Sequence, residues 1–113
     1  MDMSITINGT TGIAGVDGSA ATPAVQGVDT NTGVFYGTDI VAVSTGGTER
    51  MRINASGQAE FTAGTAALPA ITSTGDTNTG VFFPAADTIA FGEGGAEAMR
   101  IDSSGNFKFN SGY

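Results

Sequence analysis

No Cys, His or Trp occurs among the 113 residues. Thiol nucleophiles, disulfide bridges and metal sites built from thiolate or imidazole are thereby excluded. Ser and Thr are plentiful, but a hydroxyl nucleophile needs a basic neighbour to activate it. The only Lys is Lys108, close to the C-terminus. Acyl-transfer chemistry has almost no raw material. Basic residues are scarce too: Arg50, Arg52, Arg100 and Lys108 stand against 11 acidic residues, a net charge of −7. Phosphate backbones and anionic membrane surfaces would both repel such a chain, so neither nucleic acid nor membrane is an expected partner. No apolar run approaches the roughly 20 residues of a membrane helix. Met1 to Ser4 shows no basic n-region leading into an apolar h-region, so no secretory signal is expected and synthesis should be cytoplasmic.

The carboxylates are what remains for catalysis. They are scattered singly and sit in turn-like contexts such as Asp29-Thr30-Asn31 and Asp102-Ser103-Ser104-Gly105. A glycosidase needs two carboxyl groups at a fixed separation in a cleft, and solvated turn carboxylates are the simpler interpretation. The chain is expected to be non-enzymatic, with no catalytic residue, cofactor or metal site.

Gly is in excess, at 18 of 113 residues, more than twice the usual share of about 7%. Glycine weakens a helix by about 1 kcal/mol per interior position, whereas short strands joined by tight turns tolerate it. An all-β chain is expected.

Internal similarity sets the organisation. The heptapeptide DTNTGVF runs from Asp29 to Phe35 and again from Asp76 to Phe82, an offset of 47. Pro23-Ala24 returns as Pro69-Ala70 at 46, and Met51-Arg52-Ile53 as Met99-Arg100-Ile101 at 48. The drift implies two single-residue insertions in turn-like stretches. The chain therefore reads as an N-terminal strand and flexible attachment segment (1–17), a first β repeat (18–62) and a second (63–113). Each repeat reads as a meander. Ile89, Phe91, Met99, Ile101, Phe107 and Phe109 share one face by their period of two, and Val41, Val43, Met51, Ile53, Ala59 and Phe61 match them in the first repeat. Asn54 to Gly57 and Asp102 to Gly105 fit type I turns.

Val34-Phe35-Tyr36 and Val81-Phe82-Phe83 are continuous apolar runs, which want burial on both faces of a strand. They are the candidate oligomer interface. Repeat arrays usually need three or more units to stand alone, and with disulfides excluded, oligomerisation is the expected stabiliser. In residues 1–17, Ile5 and Ile7 fall on one face of a short strand, followed by a Gly-rich stretch from Gly9 to Gly18 that reads as a linker. Ile5 and Ile7 are the candidate attachment residues.

Other motifs are weak. Asp29-Thr30-Asn31 and Asp76-Thr77-Asn78 echo a calcium loop, but position 12 is Asp87 in one copy and Ile40 in the other. The Gly9 to Gly15 stretch lacks the Gly-Lys-Ser/Thr ending of a phosphate loop. Tyr36, Phe83 and Tyr113 could stack on sugar rings, although the first two sit in apolar runs that suit a core or interface. Arg52 and Arg100, on the polar face of their strands, are expected to form ion pairs with Glu49, Glu97 or a neighbouring chain.

The opening Ser4 to Gly12 (SITINGTTG) resembles the start of many phage tail-fibre proteins. The frame GTAALPA (Gly64 to Ala70), GDTNTG (Gly75 to Gly80) and MRIDSSGN (Met99 to Asn106) is similar to a common tail-fibre shaft repeat. The resemblance implies a virion structural component, usually a homotrimer, with strands wound or packed around a three-fold axis and other virion proteins as partners. Tail fibres normally continue into a distal receptor-binding tip, whereas this sequence stops after the second repeat. A capsid-decoration or cement protein is therefore the alternative, and an adhesin for host-surface glycan a third.

Overall fold

The computed structural model describes residues 5–10 and 12–110. The chain is all-β, with no helix among these residues and three antiparallel sheets. It divides into two compact units, Met1–Phe61 and Thr62–Tyr113.

Strands β1 (Thr6–Asn8) and β2 (Gly12–Ala14) form a hairpin that places Ile7 opposite Ile13. The stretch expected to be a linker after a single strand thus contains a second strand. Asn8 helps the reversal by accepting the Thr10 amide at 2.8 Å, and Gly12 adopts φ +77°, a conformation that costs glycine little.

The first five-stranded sheet takes its strands in chain order: β3 (Val25–Gln26), β4 (Gly33–Gly37), β5 (Ile40–Thr45), β6 (Thr48–Ile53) and β7 (Ala59–Phe61). The second does the same with β8 (Ile71–Ser73), β9 (Asp76–Phe82), β10 (Ile89–Glu93), β11 (Ala96–Ile101) and β12 (Phe107–Phe109). The central hairpins close through Gly46-Gly47 and Gly94-Gly95, all at positive φ, as a two-residue turn matched to strand twist requires. Each central pair carries a bulge, after Val43 in one sheet and after Phe91 in the other.

Residues directly opposite one another across a ladder share a face, so the register defines two faces. One carries the row Val25, Val34, Val43, Met51, Phe61 and, beside it, Tyr36, Val41, Ile53, Ala59. Its counterpart carries Ile71, Val81, Phe91, Met99, Phe109 and Ile89, Ile101, Phe107. The opposite face of the first sheet carries Phe35, Ala42, Arg52, Glu60 and Gln26, Gly33, Ser44, Glu49; that of the second carries Phe82, Ala90, Arg100, Lys108 and Thr72, Gly80, Gly92, Glu97.

The chain buries the centre of this second, small-residue face itself, leaving Gln26, Glu60, Thr72 and Lys108 at its edges exposed. Ala42 and Ala90 are wholly buried and Phe82 is 4% exposed; these are the buried hydrophobic residues among those described, joined by Pro23 and Pro69. The segments before β3 and β8 supply part of the cover. Gly18 bridges to Pro23 and Gly64 to Pro69. Asp17 and Ala63 carbonyls accept the amides of Tyr36 and Phe83, each at 2.8 Å. Gly33 and Gly80 lie so close under the strand beside them that a Cβ would collide with the carbonyl oxygen of Val25 or Ile71. Only glycine fits there.

Candidate interaction surface

The outer face of each sheet is the feature that the fold leaves unfinished. Every residue in its rows is uncharged, and most are large and apolar. Val25, Tyr36, Val41, Ile53, Phe61 and Ile71 are exposed, and Phe107 and Phe109 are 66% and 69% exposed. The remaining members of the rows, apart from the small exposed Ala59, are half-buried. The set that shares a face by period of two in the sequence does share a face, but that face is open, and the small-residue face is the one that the chain covers.

The apolar triplets divide accordingly. Val34, Tyr36 and Val81 belong to the outer rows, while Phe35 and Phe82 point to the covered face. Phe83 lies just beyond β9 and is half-buried. Phe82 therefore packs in the core of its own unit, its Cε1 facing Gly92. Continuous apolarity in these runs arises from one inward aromatic between two outward residues.

Most of the charges lie on the opposite face; Glu93, paired with Ala96, alternates to the outer side with Phe91, and Arg50 donates to the Thr45 hydroxyl at 2.7 Å. Arg52 donates to Glu49 through Nε at 2.8 Å and through Nη2 at 2.6 Å. Arg100 holds Glu97 in the same bidentate way, with Nη2 at 2.7 Å. Hydrogen bonding from each guanidinium, ahead of the opposing effect of burial, keeps both carboxyls below their ordinary range. Lys108 reaches Asp102 at 2.9 Å. Donation from Lys108, followed by the amides of Asn106 and Ser104, lowers the Asp102 carboxyl to about 2.

A shallow, open groove of about 430 Å³ is lined by Glu97, Arg100, Lys108, Phe109 and Asn110. Its charged side chains are already paired within the chain, and Asn110 Nδ2 donates to the Glu97 carbonyl at 3.1 Å. The groove gathers no nucleophile beside a base.

The calcium-like motif has a structural use. The Asn31 and Asn78 carbonyls accept the amides of Gly47 and Gly95 at 2.8 Å, and the Thr32 and Thr79 hydroxyls accept those of Gly46 and Gly94 at 3.0 and 3.2 Å. DTNTG thus clamps the diglycine turn of the central hairpin. No cluster of three or more potential metal-ligating side chains occurs among the described residues. No helix among them is long and apolar enough to cross a membrane.

On the N-terminal hairpin, Ile5, Ile7 and Ile13 are all more than two-thirds exposed. Ile13, opposite Ile7, joins the two expected attachment residues; the Gly-rich context around it concealed a second strand. Tyr36 is exposed at the sheet surface, and Tyr113 lies outside the described residues. No protein-family model, curated protein or solved structure matches the chain.

Proposed function

We propose that the chain is a non-enzymatic structural module of a phage particle, of tail-fibre type. Two tandem β-meander repeats from each of three copies pack together, and the N-terminal hairpin attaches the assembly to another virion protein. The observation that carries this is the largely apolar outer face of both sheets. Among the described residues only one large hydrophobic side chain, Phe82, is buried, too little core for stability alone. Oligomerisation covers that face and makes good the deficit. The shaft-repeat frame of the sequence supports three copies and a place in the virion. Scattered or internally paired carboxylates support a structural over a catalytic role.

The hairpin supports the attachment role. Two strands with one apolar face are marginal in water and gain from docking on a larger sheet or another chain. Removing residues 1–15 spares the Asp17 carbonyl that accepts the Tyr36 amide. The truncated protein should fold and oligomerise but be lost from purified particles of the virus that encodes it. Retention in the particles would place attachment elsewhere, and absence of the intact chain from them would overturn the virion assignment.

A further inference from the structure

The outer rows, rather than the apolar triplets as such, point to how copies meet. Resting on the proposed oligomer, we infer that the outer face of each five-stranded sheet packs against the same face of other copies, with Val43 and Phe91 closest to the symmetry axis. Phe35, Phe82 and the paired arginines stay on the far side of the sheet.

Area argues for a second copy of the chain as the occupant. Summed over the two sheets, the exposed outer-row residues leave on the order of 800 Å² open per chain, comparable with the roughly 800 Å² that each partner contributes to a standard stable interface. Both sheets present the same kind of face with equivalent strand pairings: Val34 pairs with Val43 and Val43 with Met51 in one, Val81 with Phe91 and Phe91 with Met99 in the other. A further copy carries two such faces on one chain. It is also present, in equal number, whenever the chain is made. The rows through Val43 and Phe91 carry no charge, so packing like against like opposes no like charges there; Glu93, the next outward residue of β10, sits at the exposed end of the strand.

Sheet dimensions limit the number of copies. Five strands about 4.8 Å apart span about 19 Å, and packed sheets stand about 10 Å apart, so each supplies a side-chain layer about 5 Å deep. Three such faces close a triangular prism whose walls lie about 5.5 Å from the axis, which one layer fills. Two faces stacked as a sandwich also close at this spacing. Four would leave walls about 9–10 Å from the axis and an unfilled channel. In either closure the middle strand of each face lies nearest the centre. That strand is β5 in one sheet and β10 in the other, and its outward residues include Val43 and Phe91.

The chain has no Cys, so a single introduced thiol is the only one present. Val43→Cys and Phe91→Cys, made separately in the full chain, should form inter-chain disulfides on mild oxidation. Around a three-fold axis only two of three thiols can pair, so crosslinked dimers should hold about two-thirds of the chains. Arg52→Cys and Arg100→Cys, on the opposite face, should give none. Sedimentation of the reduced proteins reports the oligomer independently. Complete crosslinking would keep the outer-face contact but replace the trimer with a two-fold dimer. An oligomer that crosslinks through Arg52→Cys or Arg100→Cys and not through Val43→Cys or Phe91→Cys would overturn the inference while leaving the proposed oligomer intact. A folded monomer would overturn both. The two sites lie in different sheets, so each tests the contact if the other variant fails to fold.

Discussion

The heptapeptide DTNTGVF occurs in both units, yet its first four residues adopt different structures. In the second unit Asp76 to Thr79 belong to strand β9. In the first, Asp29 to Thr32 form a turn before β4 begins at Gly33. There the Asp29 carboxylate accepts the Thr32 hydroxyl at 2.8 Å, and its carbonyl accepts the Thr32 amide at 3.3 Å. The cause lies one residue upstream. The second unit has one residue more before the heptapeptide, Ser73-Thr74-Gly75 against Gly27-Val28, and Gly75 at φ +88° lets Ser73 pair with Asp76 across a two-residue connection. Without that glycine the first unit turns by an Asp-centred loop. Thr72 then reinforces the longer hairpin, its hydroxyl donating to the Thr79 carbonyl at 2.8 Å. What both units keep is the long-range bond from the Asn31 or Asn78 carbonyl to the diglycine turn. Identity of a short peptide preserved its tertiary role, and a neighbouring glycine decided its local conformation.

The largest effects should fall where the units are alike. Gly33→Ala and Gly80→Ala each force a Cβ into a neighbouring carbonyl oxygen, and each should cost about 3 kcal/mol or more of stability in urea unfolding. A marked inequality between them would break the equivalence of the two sheets. The next effect separates the units. Phe82→Ala empties a core site and should cost about 3–5 kcal/mol, whereas its half-buried counterpart Phe35→Ala should cost about 1–2 kcal/mol. Equal losses would mean that the two aromatics are equally buried in solution.

A smaller contrast sits at the bulge. Ser44 is fully buried and its hydroxyl finds no partner; the second unit has Gly92 there. Ser44→Ala removes an unsatisfied group and should raise stability by about 1 kcal/mol. Gly92→Ala should lower it by about 1 kcal/mol, because its Cβ would meet the Ala66 and Ala96 carbonyl oxygens at 3.3 Å. Thermal melts of the two variants should move in opposite directions.

Much of this plan was legible in the sequence. The period of two in Met99-Arg100-Ile101 and Phe107-Lys108-Phe109 identified the strands and the residues that share a face, because strand geometry alternates side chains whatever the tertiary context. The Glu49–Arg52 and Glu97–Arg100 pairs were legible only as nearby opposite charges; a regular strand puts i and i+3 on opposite faces, and it is the bulge in each central pair that brings them to one. Which face the chain would cover was not legible. That depends on the loops ending at Pro23 and Pro69 folding back, which brings Ala21 beside Gly47, Pro69 beside Gly80 and Ala66 beside Gly92, contacts that no periodicity encodes. Phe82 could not be told from Val81 as a core residue for the same reason. The second strand of the N-terminal hairpin was hidden because glycine-rich residues around Ile13 carry little strand propensity.

The smallest contrast is in acid. The turn residue Asn54 does not titrate, whereas its counterpart Asp102 does, with a carboxyl held at about 2 against an ordinary 3.8. A depressed carboxyl contributes stability above its unfolded value that is lost as the pH falls through the folded one. The second unit should therefore lose stability between about pH 4 and pH 2 beyond the loss from Glu49 and Glu97 that the units share. Asp102→Asn should flatten that additional slope in acid-dependent unfolding, and an unchanged slope would show that the Lys108 contact does not persist in solution.

Stability of the proposed module depends most on further copies covering the open outer faces. Sedimentation equilibrium on the full chain at micromolar concentration, with circular dichroism confirming β structure, tests this most directly. The expected species is a folded trimer of three times the 11.2 kDa chain mass; a folded, soluble species of 11.2 kDa would contradict it.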